Sequence, residues 1–220
     1  MNWKPIPLAL LAIAGLVLGA ACSGDDGSSD ATTGANPTAY TPETDFMGVF
    51  VTPALPKPDA VLTDTSGQPF DLRKETDGVV TLLYVGYTHC PDVCPTHMAD
   101  IMTVLDKLPA DVSSQIKVVF VTADPDRDTP EVLRKWLDIF SKDFIGLTGT
   151  QEQVDAFQRS LSISPADKAD IGGGNYTVNH AAYVMAYSQD NLAHLVYPLG
   201  VTQETWVNDL TILVKEGWKQ

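Results

Sequence analysis

Two hydrophobic periodicities alternate along the chain, one typical of strands and one typical of helices. Residues 79–87 are almost entirely apolar and rich in β-forming side chains, which predicts a central strand buried on both faces. Apolar residues then recur at three- and four-residue spacings from Met98 to Leu105, which predicts an amphipathic helix over residues 96–108. A second buried strand is predicted at residues 116–122. Strands that alternate with helices in this way indicate an α/β domain with a sheet that is largely parallel at its centre.

The same patterns predict the other elements of the folded part. A polar turn that ends in Gly67 separates short strand candidates at residues 60–63 and 69–72, which predicts an N-terminal β-hairpin. Thr129 is a candidate N-cap for a helix that begins at Pro130, because proline fits the first helical position. The remaining predictions are a strand at 144–147, helices at 130–140, 151–161 and 203–218, a glycine-rich loop at 171–175, and a late hairpin of strands 176–187 and 192–197.

The N-terminal segment has the pattern of a secretory signal peptide. A short start that contains Lys4 leads into an apolar stretch at residues 6–21, and small residues precede Cys22 as they do in a lipobox. We therefore expect residues 1–21 to be removed and Cys22 to carry a lipid. The alternative is an uncleaved membrane helix, but about 16 to 18 apolar residues fall short of the roughly 20 that a bilayer core requires. Either way, the domain is predicted to be extracytoplasmic and anchored to a membrane in the cell envelope.

Charge and composition separate a tether from the folded domain. Residues 22–45 contain five acidic side chains, no Lys or Arg and almost no large apolar residues, so we expect a disordered, solvated tether before a folded domain at residues 46–220. The whole chain of 220 residues has a formal net charge of −14. Nucleic acid is excluded as a partner, because phosphate binding needs clustered Lys and Arg.

Cys90 and Cys94 lie where the central strand gives way to a helix. A helix N-terminus stabilises anions, so thiolate pKa values fall there, and an i,i+4 spacing keeps two sulfurs within reach of one ion or of each other. A static disulfide would close only a short loop and therefore gain little stability. A thioredoxin-type oxidoreductase would separate its cysteines by two residues, whereas three separate these. Two thiolates suit Cu(I), and an imidazole would complete a three-coordinate site.

The chain offers four histidines as the third ligand. His89 and His97 are close in sequence to the cysteines, but adjacency does not place side chains on one face, and His97 is expected to be an ordinary polar residue of the first helical turn. His194 lies in the late hairpin and is expected to be a surface or cross-strand residue. His180 follows the glycine-rich loop and precedes an apolar strand, a junction where scaffolds display functional groups. His180 is therefore the best of the four candidates.

Three blocks, in order, resemble the Sco/SenC family of copper proteins. They are GYTHCPDVCP at residues 86–95, DPDRDTPE at 124–131 and YTVNH at 176–180. The resemblance covers roughly residues 59–218. It implies a thioredoxin-like fold with additions, and a copper ion bound by Cys90, Cys94 and His180. It also implies a metallochaperone that assembles the dinuclear copper centre of cytochrome c oxidase, with the copper-bearing oxidase subunit, and other copper or thiol carriers, as partners.

Two alternatives to copper delivery stay open at this point. A thiol–disulfide reductase that keeps oxidase cysteines reduced would need the cysteine pair but not His180, so enzymatic activity is undecided. A redox or copper sensor is a weaker alternative that no sequence feature favours.

The chain departs from the family pattern beside the histidine. Asn179 stands where the family commonly has Asp, and Ala181 where it commonly has Ser, which removes a carboxylate that would orient the ligand or balance its charge. For the second block we expect a structural role, namely a tight turn that enters a helix, with Arg127 paired to a nearby carboxylate.

Overall fold

The computed structural model of the protein describes residues 44–219, in which ten strands and six helices follow one another along the chain. The strands and helices, in chain order, are β1 (Val49–Pro56), β2 (Val61–Asp64), β3 (Pro69–Asp71), α1 (Leu72–Glu75), β4 (Val80–Gly86), α2 (Val93–Lys107), α3 (Ala110–Ser113), β5 (Ile116–Thr122), α4 (Pro130–Leu137), β6 (Ile145–Thr148), α5 (Gln151–Ser160), β7 (Asp167–Gly172), β8 (Asn175–Asn179), β9 (Tyr183–Tyr187), β10 (Leu192–Pro198) and α6 (Gln203–Glu216).

Eight of the strands form one mixed sheet in the order β1-β10-β9-β4-β5-β6-β2-β3. Strand β4 is buried along its whole length, as its continuous apolar sequence predicts. It pairs in parallel with β5, which in turn pairs in parallel with β6, whereas the other neighbouring strands are antiparallel. The predicted α/β architecture with a parallel centre is confirmed, and antiparallel strands extend that centre on both sides.

Both predicted hairpins are present, but the late one is shorter than expected. Strands β2 and β3 form the N-terminal hairpin, and β9 and β10 form the late hairpin. Residues 176–187 are not one strand, because β8 pairs with β7 in a separate two-stranded sheet while β9 joins the main sheet. The glycine-rich loop is the turn of this β7–β8 hairpin, and Gly172, Gly173 and Gly174 all adopt the positive φ values that favour glycine. The break leaves residues 180–182 as a loop between β8 and β9.

The start of the folded part is held by a buried carboxylate on α6. Asp209 is fully buried and accepts hydrogen bonds from the backbone N–H groups of Met47 and Gly48, each at 2.8 Å. It also accepts one from the hydroxyl of Tyr197 at 3.2 Å. These bonds fix the chain that enters the edge strand β1, which periodicity did not predict.

Helix ends agree with the predictions to within a few residues. Thr129 caps α4, since its hydroxyl accepts a hydrogen bond from the backbone N–H of Val132 at 3.3 Å. Helix α2 begins at Val93, three residues earlier than predicted, which changes the surroundings of His97. No helix within residues 44–219 is long and apolar enough to span a bilayer. The predicted signal peptide, Cys22 and most of the tether fall in residues 1–43, outside the described range, and remain predictions.

Lys57 is a buried cation near the start of β4. Its side chain is only 1% exposed, and its Nζ donates hydrogen bonds to the backbone carbonyl of Thr76 at 2.8 Å and to the hydroxyl of Thr81 at 3.2 Å. Burial lowers the pKa of Lys57 to about 8, while the nearby carboxylate of Asp77 acts in the opposite direction. The lysine therefore favours the folded state most when it is neutral.

This burial predicts a pH-dependent stability difference. Because the pKa of Lys57 falls from 10.5 to about 8 on folding, its contribution to stability is present above pH 10.5 and is lost as pH falls to about 8. Lys57→Met removes this dependence. The free energy of unfolding of the wild type, measured by urea denaturation, should rise relative to that of the variant by on the order of 3 kcal/mol between pH 7.5 and 10.5. The substitution Lys74→Met at an exposed lysine is the control, and a difference between Lys57→Met and wild type that does not change with pH would contradict the lowered pKa of Lys57.

Candidate metal centre

The cysteine pair lies at the end of the central strand, where the sequence placed it. Strand β4 ends at Gly86, and the chain turns through Cys90 into α2, which carries Cys94 in its first turn. Cys94 is fully buried, whereas Cys90 is 9% exposed, and both are free thiols. The backbone N–H of Cys94 donates to the Sγ of Cys90 at 3.4 Å. The helix start thus supplies a donor to the outer sulfur.

His180 joins the two sulfurs from the loop between β8 and β9. Its Nε2 lies 3.4 Å from the Sγ of Cys94, and the ligand atoms of Cys90, Cys94 and His180 are all within 4.8 Å of one another. The Nδ1 of His180 lies 2.9 Å from the carbonyl oxygen of Ala181. A carbonyl only accepts, so Nδ1 carries a hydrogen, and Nε2 is the ring nitrogen that faces the sulfurs. A neutral imidazole ligand requires this tautomer.

The two thiols have opposite electrostatic environments. A hydrogen bond from the side chain of Cys94, together with the backbone N–H groups of Asp92 and Cys94, lowers the pKa of Cys90 to about 4. Burial raises the pKa of Cys94 well above its usual range. The outer sulfur is therefore a thiolate at neutral pH, and the inner sulfur is a thiol that hydrogen-bonds to it.

Aromatic rings and a glycine enclose the inner sulfur. The hydroxyl of Tyr84 donates to the Sγ of Cys94 at 3.7 Å, and a Cβ at Gly86 would lie only 2.9 Å from that sulfur. The ring of His180 stands edge-on to the rings of Tyr84 and Tyr87, with centroids at 6.0 and 5.6 Å. The inner thiol is thus enclosed, whereas the imidazole packs on these rings and also lines a cleft.

This cleft has a volume of about 320 Å³ and opens to solvent. Its lining includes Cys90, His180, Asp92 and Asn179, but not Cys94. A ligand or a metal ion that enters from solvent therefore meets the outer sulfur and the imidazole first.

A buried carboxylate from the second sequence block holds the loop in front of Cys90. Asp128 is fully buried and accepts hydrogen bonds from the backbone N–H of Thr88 at 2.9 Å and from its hydroxyl at 2.6 Å. The hydroxyl of Thr122 at the end of β5 donates to the same carboxylate at 2.6 Å. Sequence reasoning missed this role, because forty residues separate Asp128 from Thr88 and no local pattern pairs them.

The expected ion pair of the same block is present and reaches the β7–β8 hairpin. Arg127 pairs with the buried carboxylate of Asp124, as predicted, and its guanidinium stacks 3.7 Å from the ring centre of Tyr176 in β8. The hydroxyl of Tyr176 donates to Asp124 at 2.9 Å. In the next residue of β8, the hydroxyl of Thr177 lies 2.9 Å from the hydroxyl of Tyr87. The strand that leads to His180 is therefore anchored beside the cysteine loop.

Asn179 is hydrogen-bonded to the neighbouring strand of the β7–β8 hairpin. Its amide donates to the carboxylate of Asp167 at 3.0 Å, because the two residues face each other across the β7–β8 pair. The side chain of Asn179 is thus held by a carboxylate of the adjacent strand.

The other three histidines do not join the sulfurs. His89 is half exposed and its Nδ1 lies 3.0 Å from the hydroxyl of Thr88. His194 stacks on Trp218 with ring centroids 4.1 Å apart. The expectation that His97 is an ordinary polar residue is wrong, because its side chain is only 1% exposed. Within residues 44–219, the set of Cys90, Cys94 and His180 is the one cluster of three or more metal-binding side chains.

The fold and the site together define a thioredoxin-like protein with a dithiol at a helix N-terminus and an imidazole from a later loop. Residues 56–215 match the SCO1/SenC family. The chain therefore belongs to this family.

Similar proteins include a putative copper-binding protein from Stutzerimonas stutzeri, which is 35% identical over 144 residues that cover 64% of this chain and 70% of the relative. An SCO2-like protein from Rickettsia felis is 36% identical over 129 residues, which cover 57% of this chain and 60% of the relative. Among solved structures, Bradyrhizobium japonicum ScoI with copper bound is 32% identical with a TM-score of 0.65, and the match covers 73% of this chain and 99% of that one.

The asymmetry of the two thiols predicts selective alkylation. Because the pKa of Cys90 is about 4, its thiolate is fully formed above pH 6, so its rate of reaction with iodoacetamide should stay nearly constant from pH 6 to 8.5. An ordinary thiol would react roughly 100-fold faster at the upper end of this pH range than at the lower end, because its thiolate fraction rises with pH. Mass spectrometry of the reduced protein should locate the first adduct of the pair on Cys90, and in Cys90→Ser the remaining thiol of the pair, Cys94, should be nearly unreactive. A rate that rises tenfold for each pH unit, or a first adduct on Cys94, would contradict the assignment.

Proposed function

We propose that this protein is a copper metallochaperone that binds Cu(I) through Cys90, Cys94 and His180 and delivers it to the dinuclear copper centre of cytochrome c oxidase. The observation that carries the proposal is the convergence of two sulfurs and one imidazole nitrogen within 4.8 Å. Soft thiolates with a neutral imidazole are a donor set that suits Cu(I). Membership of the SCO1/SenC family, and similarity to ScoI with copper bound, support the same metal.

Each of the three residues has a distinct part in holding the cargo. Cys90 is already a thiolate, so it supplies the first anionic ligand without losing a proton. Cys94 must release its proton when copper binds, which makes uptake dependent on pH. The imidazole of His180 supplies its Nε2, because Nδ1 is bound to the carbonyl oxygen of Ala181 and Nε2 faces the sulfurs.

The proposed partner and location rest on the family and on the N-terminal segment. The partner is the copper-bearing subunit of cytochrome c oxidase, reached from the extracytoplasmic side of a membrane by a lipid on Cys22 and the tether that follows it. The apolar segment at residues 6–21, followed by Cys22, supports the anchor. The acidic chain supports a protein partner rather than nucleic acid.

Removal of the imidazole tests the proposal directly. The reduced full-length protein in detergent is titrated with Cu(I) against a competing chelator, beside His180→Ala and the control His194→Ala. Loss of one of three ligands should weaken Cu(I) binding by about 10- to 100-fold. Each factor of ten corresponds to roughly 1.4 kcal/mol of binding free energy. His194→Ala should bind as wild type does. Wild-type affinity no higher than that of a peptide with two cysteines, or affinity that does not respond to His180→Ala, would refute copper delivery by this site.

A second function, thiol–disulfide exchange, is favoured by the low pKa of Cys90. Its thiolate would attack a disulfide of an oxidase subunit, form a mixed disulfide and release the subunit's other sulfur as a thiolate. Cys94 would then lose its proton, and its thiolate would attack the sulfur of Cys90 in the mixed disulfide. The bond between Cys90 and the subunit breaks, which releases the reduced subunit and leaves a Cys90–Cys94 disulfide. This cycle uses both cysteines and does not require His180.

The two functions make different predictions for the copper content of the oxidase in cells that lack the protein and instead express one of its variants. Copper delivery predicts that neither Cys90→Ala nor His180→Ala restores the copper content of the oxidase, because each removes a ligand. Thiol exchange predicts that His180→Ala restores it while Cys90→Ala does not. Immunoblots that show equal amounts of each variant are the control, and rescue by His180→Ala would favour the reductase.

A further inference from the structure

His97 is a buried polar side chain on the helix that carries Cys94. It lies one turn after Cys94 on the buried face of α2, next to Met98 and in line with Ile101, both of which are fully buried. An apolar residue would suit this position by packing alone. A buried imidazole needs a hydrogen-bond partner, because an unsatisfied polar group in the interior is costly.

The partner of His97 is the carbonyl oxygen of Ala182, 3.4 Å from its Nε2. The carbonyl accepts, so Nε2 carries the hydrogen, and burial lowers the pKa of His97 and keeps the ring neutral. Ala182 directly precedes β9, which at this end pairs with β4 only as far as Met185 and with β10 as far as Tyr183. The hydrogen bond from His97 therefore holds a part of the chain just beyond its last residue paired in the sheet.

This part of the chain is the loop that carries His180. Residues 180–182 connect β8 to β9, so a bond at Ala182 fixes the loop two residues after the ligand. The ring of His97 also packs on Tyr84, with centroids 4.9 Å apart. Tyr84 in turn contacts Cys94 through its hydroxyl and faces the ring of His180. His97 is thus connected to the helix that supplies Cys94 and to the loop that supplies His180.

We propose that His97 is a positioning residue that fastens the loop of His180 to the helix of Cys94 and so preorganises the copper site. The inference rests on the proposed copper binding by the three ligands. A loop held in place before the metal arrives loses less conformational freedom on binding, which raises affinity. The loss of one buried neutral hydrogen bond should weaken Cu(I) binding by about five- to tenfold.

Three variants of the reduced full-length protein test this role by competition for Cu(I). His97→Leu fills the space without a donor and should raise the Kd for Cu(I) by about five- to tenfold. His97→Gln retains an N–H donor of similar reach and should stay within about twofold of wild type. Met98→Leu changes packing beside His97 at nearly constant volume and should leave the Kd unchanged. Wild-type affinity in His97→Leu would overturn the proposal.

A double-mutant cycle distinguishes positioning from a general loss of packing. If His97 acts through His180, then His97→Leu should have no further effect on the Kd in a His180→Ala background. An equal loss of affinity in both backgrounds would overturn the proposal, since it would mean that His97 affects the cysteines alone. The same titrations report on the proposed function separately, because a wild-type affinity no higher than that of a peptide with two cysteines refutes copper delivery irrespective of His97.

Discussion

The sulfur of Cys94 lies against the backbone of β4 at Gly86, and no side chain fits between them. A Cβ at Gly86 would lie 2.9 Å from that sulfur and 2.8 Å from the ring of Tyr84. These separations are below normal van der Waals contact, so any other residue would displace the helix start or the ring. The first turn of α2 therefore sits directly on the end of the central strand, and the depth of the inner thiol follows from this contact.

The remaining ligands depend on connections between distant parts of the chain. Asp128, in the loop after β5, holds the turn before Cys90 against the end of β5. Arg127, in the same loop, stacks on Tyr176 of β8. Because β4 and β5 are parallel, the loop after β4, which carries Cys90, and the loop after β5, which carries Arg127 and Asp128, emerge at the same edge of the sheet. One loop after β5 thus supports the outer cysteine on one side and the strand that leads to His180 on the other.

Local sequence was sufficient to predict those elements whose burial leaves a periodic pattern of apolar residues. Strand β4 and the cysteine pair were predicted from adjacent residues, whereas β1 and β7 were not, because an edge strand with prolines and a charged strand depend on their partners for pairing. His180 stood out among the histidines only by its junction, and the ligand role was what the family resemblance implied. The error at His97 came from its residue type, because a polar side chain was expected at the surface although its four-residue spacing to Ile101 places it on the buried face of α2.

The unequal exposure of the two sulfurs links the two proposed functions. Ligand exchange with a partner must begin at an accessible donor, and the cleft exposes Cys90 and His180 but not Cys94. Thiol exchange has the same requirement, because attack on a disulfide needs an accessible thiolate and a second thiol protected until the mixed disulfide forms. The wall formed by Gly86 and Tyr84 therefore serves either chemistry. What distinguishes them is the imidazole, since its Nε2 would contribute a ligand to copper and nothing to the exchange of sulfurs.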